Sequence, residues 1–369
     1  MSAPGASGAL AAYRPELRPR VLLSDPLLDG AATVHLIKDT GSGNSFKVGA
    51  KEHFLIARMD GERSIAEIGE EYAGEYGRRL GDAHWQQILT MLGTKGLLAG
   101  TPAPEPPVVA AEPRTLLRGT LPLVADSDAT TARLHRVSGF LLTPWAMVPL
   151  LVLIVAMEAA VVTRSGELLL AVRELFTNPV LLTGTAILLW LSTALHELAH
   201  GVVARHYGGQ VAEIGLRWRL PVVIMYCTVD NYLYLGRRRH RIATAVAGAV
   251  MNLLFLLPFC ALWLFAPLDD ATHEALSALL LLGSVQAFAM LVPLPPLDGY
   301  RIASQLAGAT GLAASAGGYL RLALRRSPEA AAYPRRARIA YPAYALGTVL
   351  VLAALVAAVV TGAHHLLTV

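Results

Sequence analysis

Cysteine is scarce in this chain, with two in 369 residues. Cys227 and Cys260 lie in different segments and form no CxxC pair, which excludes a disulfide framework and a thiolate metal site. Cys227 reads as an inert packing residue. Charge is also scarce: 16% of residues are charged, against about 25% in soluble proteins. An ordinary soluble fold is therefore excluded for most of the chain. The first twenty residues, MSAPGASGALAAYRPELRPR, lack an apolar core of signal-peptide length, so the first domain is expected to start and stay in the cytosol. The net charge of +4 is modest. Its basic residues cluster between apolar runs, which speaks for membrane topology and against nucleic acid.

What the chain has in abundance is apolar sequence, 54% by composition. Five stretches are long enough to span a bilayer, which takes about 20 residues each. They lie near 140–162, 179–203, 242–266, 275–297 and 340–362. The Ala- and Gly-rich run 303–324 fits either an interfacial segment or a short hairpin. Loops 204–241 and 298–339 hold fourteen arginines, and the segments 163–178, 267–274 and 363–369 hold two. By the positive-inside bias those two loops face the cytosol, with the N-terminal domain.

Ahead of the spans the composition is that of a small soluble domain. Residues 1–33 read as a tail and 34–100 as the domain. VHLIKD and SFKVG flank TGSGN, a hairpin signal. Three helices follow. AKEHFLIARM has helical apolar spacing, Ser64 and Glu67 form a capping box, and DAHWQQILTMLGTKG closes at Gly96. A hairpin with three helices suggests a winged-helix unit. Residues 101–139 then hold a Pro-rich linker, GTPAPEPPVVAAEP, and a pre-membrane segment. The expected fold is mainly α: a polytopic membrane domain, 140–369, of about five helices, behind a small α/β winged-helix-like domain.

One span carries the chemistry. WLSTALHELAHGVVARHYGG places His196, Glu197 and His200 inside an apolar run. Each ionisable group at such depth costs roughly 3 kcal/mol on insertion scales, and a bound metal ion offsets that cost. His196 and His200, four apart, share one helix face and can reach one tetrahedral ion. Glu197 is placed to take a proton from an activated water. The bland alternative is three polar residues satisfied by helix neighbours.

A catalytic zinc needs a third protein ligand. His206 has the metzincin offset, but that arrangement needs a turn where Val203 stands; otherwise His206 is an interfacial histidine. Asp298, in VPLPPLDGYRI, is the better candidate. It falls at the cytosolic end of the fourth span, at the depth of the histidine pair, and Pro and Gly around it mark a turn.

HELAH in one span and LDG after a Pro-rich break in a later one resemble the site-2 protease family of intramembrane zinc metallopeptidases. The resemblance covers roughly 180–300. It implies that His196, His200 and Asp298 bind zinc and that Glu197 activates water. The chain departs at Met290, where the family usually has Asn, which bears on a substrate-orienting contact and not on the metal. VAGAVMN, 246–252, is similar to the family's small-residue stretch. Asn252 then either polarises the scissile carbonyl or grips substrate backbone, or it ties helices together. Gln286 has the same two readings. Segment 209–230 either pairs as an edge strand with an extended substrate, as related enzymes do, or is a connecting amphipathic loop.

Residues 34–100 resemble the recognition element of enzymes that mature ribosomally made peptides. Joined to the protease-like part, this implies a peptide-maturation protease that holds a precursor peptide by its leader and cuts it, gaining avidity from the linkage. The implied partners are a precursor peptide, the lipid bilayer and peptide-modifying enzymes. Two other functions remain open: intramembrane cleavage of a membrane-bound regulator such as an anti-sigma factor, and a non-catalytic metal- or peptide-binding transporter or immunity protein. The outer segments are too short for the PDZ domain that often accompanies the former. Paired broken helices, expected of a transporter, are not visible.

Overall fold

A computed structural model describes residues 5–101 and 115–368. Of the linker expected from 101, residues 102–114 lie outside the described residues. The chain divides into two compact units, one of Met1–Ala111 with Gly308–Arg338 and one of Glu112–Ala307 with Ile339–Val369.

The first unit begins with α1 (Gly5–Ala12), β1 (Val21–Leu23), β2 (Leu27–Asp29), β3 (Ala32–Asp39) and β4 (Ser45–Gly49). The alternation in VHLIKD makes β3 the central strand. β4 pairs with one edge of it, antiparallel, from Val34↔Gly49 to Lys38↔Ser45, and β1 and β2 share the other edge. Residues 1–33, expected as a tail, thus supply a helix and two strands. Three helices follow: α2 (Ala50–Ile56), α3 (Ile65–Tyr76) and α4 (Asp82–Thr94). Ser64 and Glu67 form the expected capping box at α3. Gly96 adopts φ +63°, the left-handed turn that closes the unit. Ile37, Ile56, Ile68 and Leu92 are fully buried in its core. Residues 308–338 belong here as well: Leu28 N–H donates to Gly308 O at 2.7 Å, and Leu28 O accepts from Thr310 at 2.9 Å.

The second unit contains β5 (Arg118–Pro122), α5 (Ser127–Ser138), α6 (Pro144–Thr163), α7 (Ser165–Leu175), α8 (Pro179–His206), β6 (Val211–Arg219), β7 (Val222–Val229), α9 (Arg238–Phe265), α10 (Asp270–Ala289) and α11 (Asp298–Ala307). Then come α12 (Leu312–Leu324), in the first unit, and α13 (Arg335–Thr368), which belongs to the second from Ile339 on. The run 303–324 is therefore the end of α11 followed by α12.

Among the described residues, four helices are long and apolar enough, by length and composition, to cross a membrane: α6, α8, α9 and α13. Of the five expected stretches, 275–297 is not among them. α10 ends at Ala289 rather than near 297, and Asp270, His273, Glu274, Ser277, Ser284 and Gln286 dilute its apolar character. It packs instead between α7 and α9. α7, within a segment read as a short outer loop, is an amphipathic helix that buries Leu168, Ala171 and Leu175.

Segment 209–230 forms β6 and β7. With β5 they make an antiparallel sheet of order β5-β6-β7, so β7 is an edge strand. α5 holds this sheet: Ser127 Oγ accepts from Ile214 N–H at 3.0 Å and Asp128 Oδ1 from Val211 N–H at 3.2 Å.

Candidate metal centre

α8 starts where the sequence says it should. Asn178 caps it, accepting from Val180 and Leu181 N–H at 3.2 and 3.3 Å, and Pro179 occupies the first turn. The helix then runs unbroken through His196 and His200, so their four-residue spacing places both on the face toward α9. Both are 3% exposed. Gly248 of α9 makes this possible, because a Cβ there would stand 2.5 Å from His196 Nε2. The small-residue stretch 246–252 thus has a steric purpose at that position.

Asp298 arrives from the other side. After α10 the chain turns sharply, and Gly299 N–H donates to Met290 O at 2.9 Å. A Cβ on Gly299 would come within 2.0 Å of Leu291 O, so only glycine fits the turn. The first residue of α11 is thereby folded back against α8 and α9. Arg241 fixes that approach. Its guanidinium is buried and donates to Gln305 Oε1 at 2.8 Å, to Leu235 O at 3.0 Å and to Leu233 O at 3.2 Å.

Three ligand-type atoms converge as a result. Asp298 Oδ2 lies 2.9 Å from His196 Nε2 and 3.1 Å from His200 Nε2, and the two nitrogens are 3.2 Å apart. All three residues are buried, and the group could hold a metal ion. The hydrogen bonding supports that fit. His200 Nδ1 is 2.7 Å from Thr244 O, a contact that requires the proton on Nδ1. In the neutral ring the Nε2 lone pair then faces a carboxylate oxygen and another imidazole nitrogen. That arrangement needs a proton or a metal ion between the atoms, and the Nδ1 bond to Thr244 O is the usual second contact of a metal-bound histidine. His196 Nδ1, by contrast, is buried without a partner. Asp298 Oδ1 is engaged by Arg301 Nη1 at 3.0 Å.

These residues border a cavity of about 530 Å³ between α8, α9, β7 and the turn before α11. Glu197 is half-buried on its wall and accepts from the backbone N–H of Cys227 in β7 at 3.2 Å. Asn252 also lines it. Its Oδ1 accepts from Ser192 Oγ at 3.0 Å, tying α9 to α8, while its Nδ2 is buried and unpaired. Both readings of Asn252 therefore have a physical basis, one on each amide atom. Gln286 does not border the cavity. Its Nε2 donates to Thr193 Oγ1 at 3.0 Å and ties α10 to α8. Met290 stands on the wall as an apolar residue. His206 is not in the group; its Nδ1 faces His135 instead. Cys227 takes part through its backbone, and burial near Glu197 pushes its thiol up to about 12, consistent with inertness.

Several contributors escaped the sequence reading. In the sequence Arg241 is one of the clustered arginines of loop 204–241. The Cys227 amide and the Thr244 carbonyl are backbone groups, which no side-chain motif marks. Arg301, three residues after Asp298 on the same helix face, had a readable spacing. Compared with family models, curated proteins and solved structures, the chain matches none.

Proposed function

We propose that the chain is a membrane-embedded zinc endopeptidase of the site-2 protease type, which removes the leader of a ribosomally made precursor peptide at the cytosolic face. The observation that carries this reading is the convergence of two imidazole nitrogens and one carboxylate oxygen beside the Glu197 carboxylate, which lies outside that group and is held by the Cys227 amide.

His196, His200 and Asp298 would hold the ion. Zinc, when bound, supplies Lewis acidity for a peptide carbonyl and lowers the pKa of water toward 7. Glu197 accepts the proton of the attacking water and returns it to the leaving amine. The Cys227 amide keeps one carboxylate oxygen in place, so the other is free for that transfer. Arg301 holds Asp298 Oδ1 and leaves Oδ2 for the ion. Asn252 Nδ2 is the donor available for a substrate carbonyl.

β7 gives the substrate its conformation. A helical peptide hides its backbone, whereas an extended one can add to an edge strand. The outward edge of β7 is anchored at both ends, with Trp190 Nε1 donating to Val223 O at 2.9 Å and Cys227 N–H donating to Glu197. By strand alternation Met225 N–H and C=O face the same edge, one step from Glu197. The N-terminal unit, with its β4 edge and three helices, would hold the leader while the centre cuts.

The test is a matched pair of variants in the purified full chain, with precursor peptides encoded beside it. Glu197→Gln keeps its zinc and loses cleavage by about 100-fold or more, the range of a general base. His196→Ala loses both. Full processing by zinc-loaded Glu197→Gln removes the catalytic assignment.

A further inference from the structure

A second pair of imidazoles lies outside the candidate centre. His135, in the last two turns of α5, sets its Nε2 3.1 Å from Nδ1 of His206 at the C-terminal end of α8. The ring centroids are 5.4 Å apart and the planes tilt by 48°. His206 is exposed and His135 half-buried, so the pair is open to ions in solution. Gly139 leaves the room that the His135 ring occupies, for a Cβ there would meet Nε2 at 3.1 Å. Nearby, Arg205 Nη1 donates to both oxygens of Asp128 at 2.8 and 2.9 Å, so α5 and α8 are already docked where the imidazoles meet.

Two ring nitrogens this close share either one proton or one cation. Two nitrogens each about 2.0–2.1 Å from an ion stand about 2.9 Å apart at a right angle and about 3.4 Å apart at the tetrahedral angle. The observed separation lies between these values. Imidazole donors suit zinc, copper and nickel, whereas calcium and magnesium ask for oxygen. Among the described residues no third His, Cys, Asp or Glu atom completes this pair, so water would fill the remaining positions. Such a site exchanges its ion more readily than a buried three-ligand centre.

We propose that His135 and His206 form a second, solvent-open site for a divalent transition-metal ion that cross-links α5 to α8. The consequence is mechanical. α5 carries Ser127 and Asp128, which hold β6, and β6 holds the β7 edge whose amide meets Glu197. An ion at the pair braces that platform. Nothing in this rests on the protease reading.

The experiment is a Cu2+ titration of the untagged full chain in detergent, followed by electron paramagnetic resonance. The wild type binds one more Cu2+ per chain than His135→Gln or His206→Gln, with coupling to two imidazole nitrogens. Each substitution weakens that site by about 10-fold or more. Circular dichroism and a gel-filtration profile equal to wild type establish that the variants fold. Equal Cu2+ uptake at equal affinity by wild type and a His135→Gln/His206→Gln double variant would overturn the proposal. So would a wild type that takes up no such ion at millimolar copper.

Discussion

In the first unit Ile37, Ile56 and Ile68 are wholly buried, and charged residues such as Glu52, Glu62 and Lys95 face outward. In the second, Trp145, Val180 and Val359 are exposed by 91, 79 and 70%, while His196, Arg241, Asn252 and Asp298 lie inside. Both units bury an apolar core, Leu256 and Leu279 among its members in the second, but the second also leaves large apolar side chains outward along its long helices. The first is built for water, which rewards buried apolar area. The second presents its apolar surface outward on helices long enough to span a bilayer, and it gathers polar groups where only protein can satisfy them. In such an interior a histidine or aspartate persists only with a partner, so the polar residues locate the site.

That contrast can be tested by breaking each side of it. The largest effect is expected in the water-facing unit. Ile68→Ala leaves a cavity in a fully buried position and should cost about 2–5 kcal/mol, read by hydrogen exchange on peptides from Ile65–Tyr76. A truncation that leaves exchange unchanged would deny that the first unit has a tight core. Next comes Gly248→Ala. Its methyl group collides with His196, so ion affinity should fall about 10- to 100-fold while the helices stay assembled. Unchanged affinity would mean that the ring does not occupy this position.

The third effect depends on pH. Burial pushes His53 down to about 4, with His35, stacked 3.6 Å away, and Arg58 adding like charge. Between its usual 6.5 and about 4 the unfolded chain takes up a proton that the folded unit refuses. Stability of the first unit therefore falls as pH drops through that window, by on the order of 1–3 kcal/mol. His53→Gln should flatten the slope, measured by exchange at pH 7 and pH 5. The smallest effect belongs to the outward apolar surface of α13. Val359→Ala should change stability in a bilayer by less than about 0.5 kcal/mol, because lipid replaces what the side chain loses.

The hairpin, the capping box and the three helices of the first unit were legible because each rests on local chemistry. Turn residues at 40–44, Ser64 with Glu67, and Gly96 act on neighbours a few positions away. The His196–His200 pair was legible for the same reason. Asp298 was readable through the Pro and Gly residues that mark a turn around it, and that turn carries it to the histidine pair. What escaped was long-range or carried by backbone. β1 and β2 are too short for a periodic signal and exist because β3 has an edge to fill. Residues 308–338 join the first unit through main-chain bonds at Leu28 that no side chain announces. The apolar run of α10 continues through Leu291–Leu297 in the sequence, although the Pro-rich turn ends the helix at Ala289. Gly248 read as one small residue among several, and only the ring beside it distinguishes it.

Whether His196, His200 and Asp298 grip one ion is tested most directly by metal content with X-ray absorption on the purified full chain after mild chelator dialysis. One tightly held zinc per chain is expected, with two imidazole nitrogens and carboxylate oxygen at about 2.0–2.2 Å, and with loss of that zinc in Asp298→Ala. A wild-type chain that retains no ion, or an Asp298→Ala variant with the same zinc and the same ligand shell, would contradict that expectation.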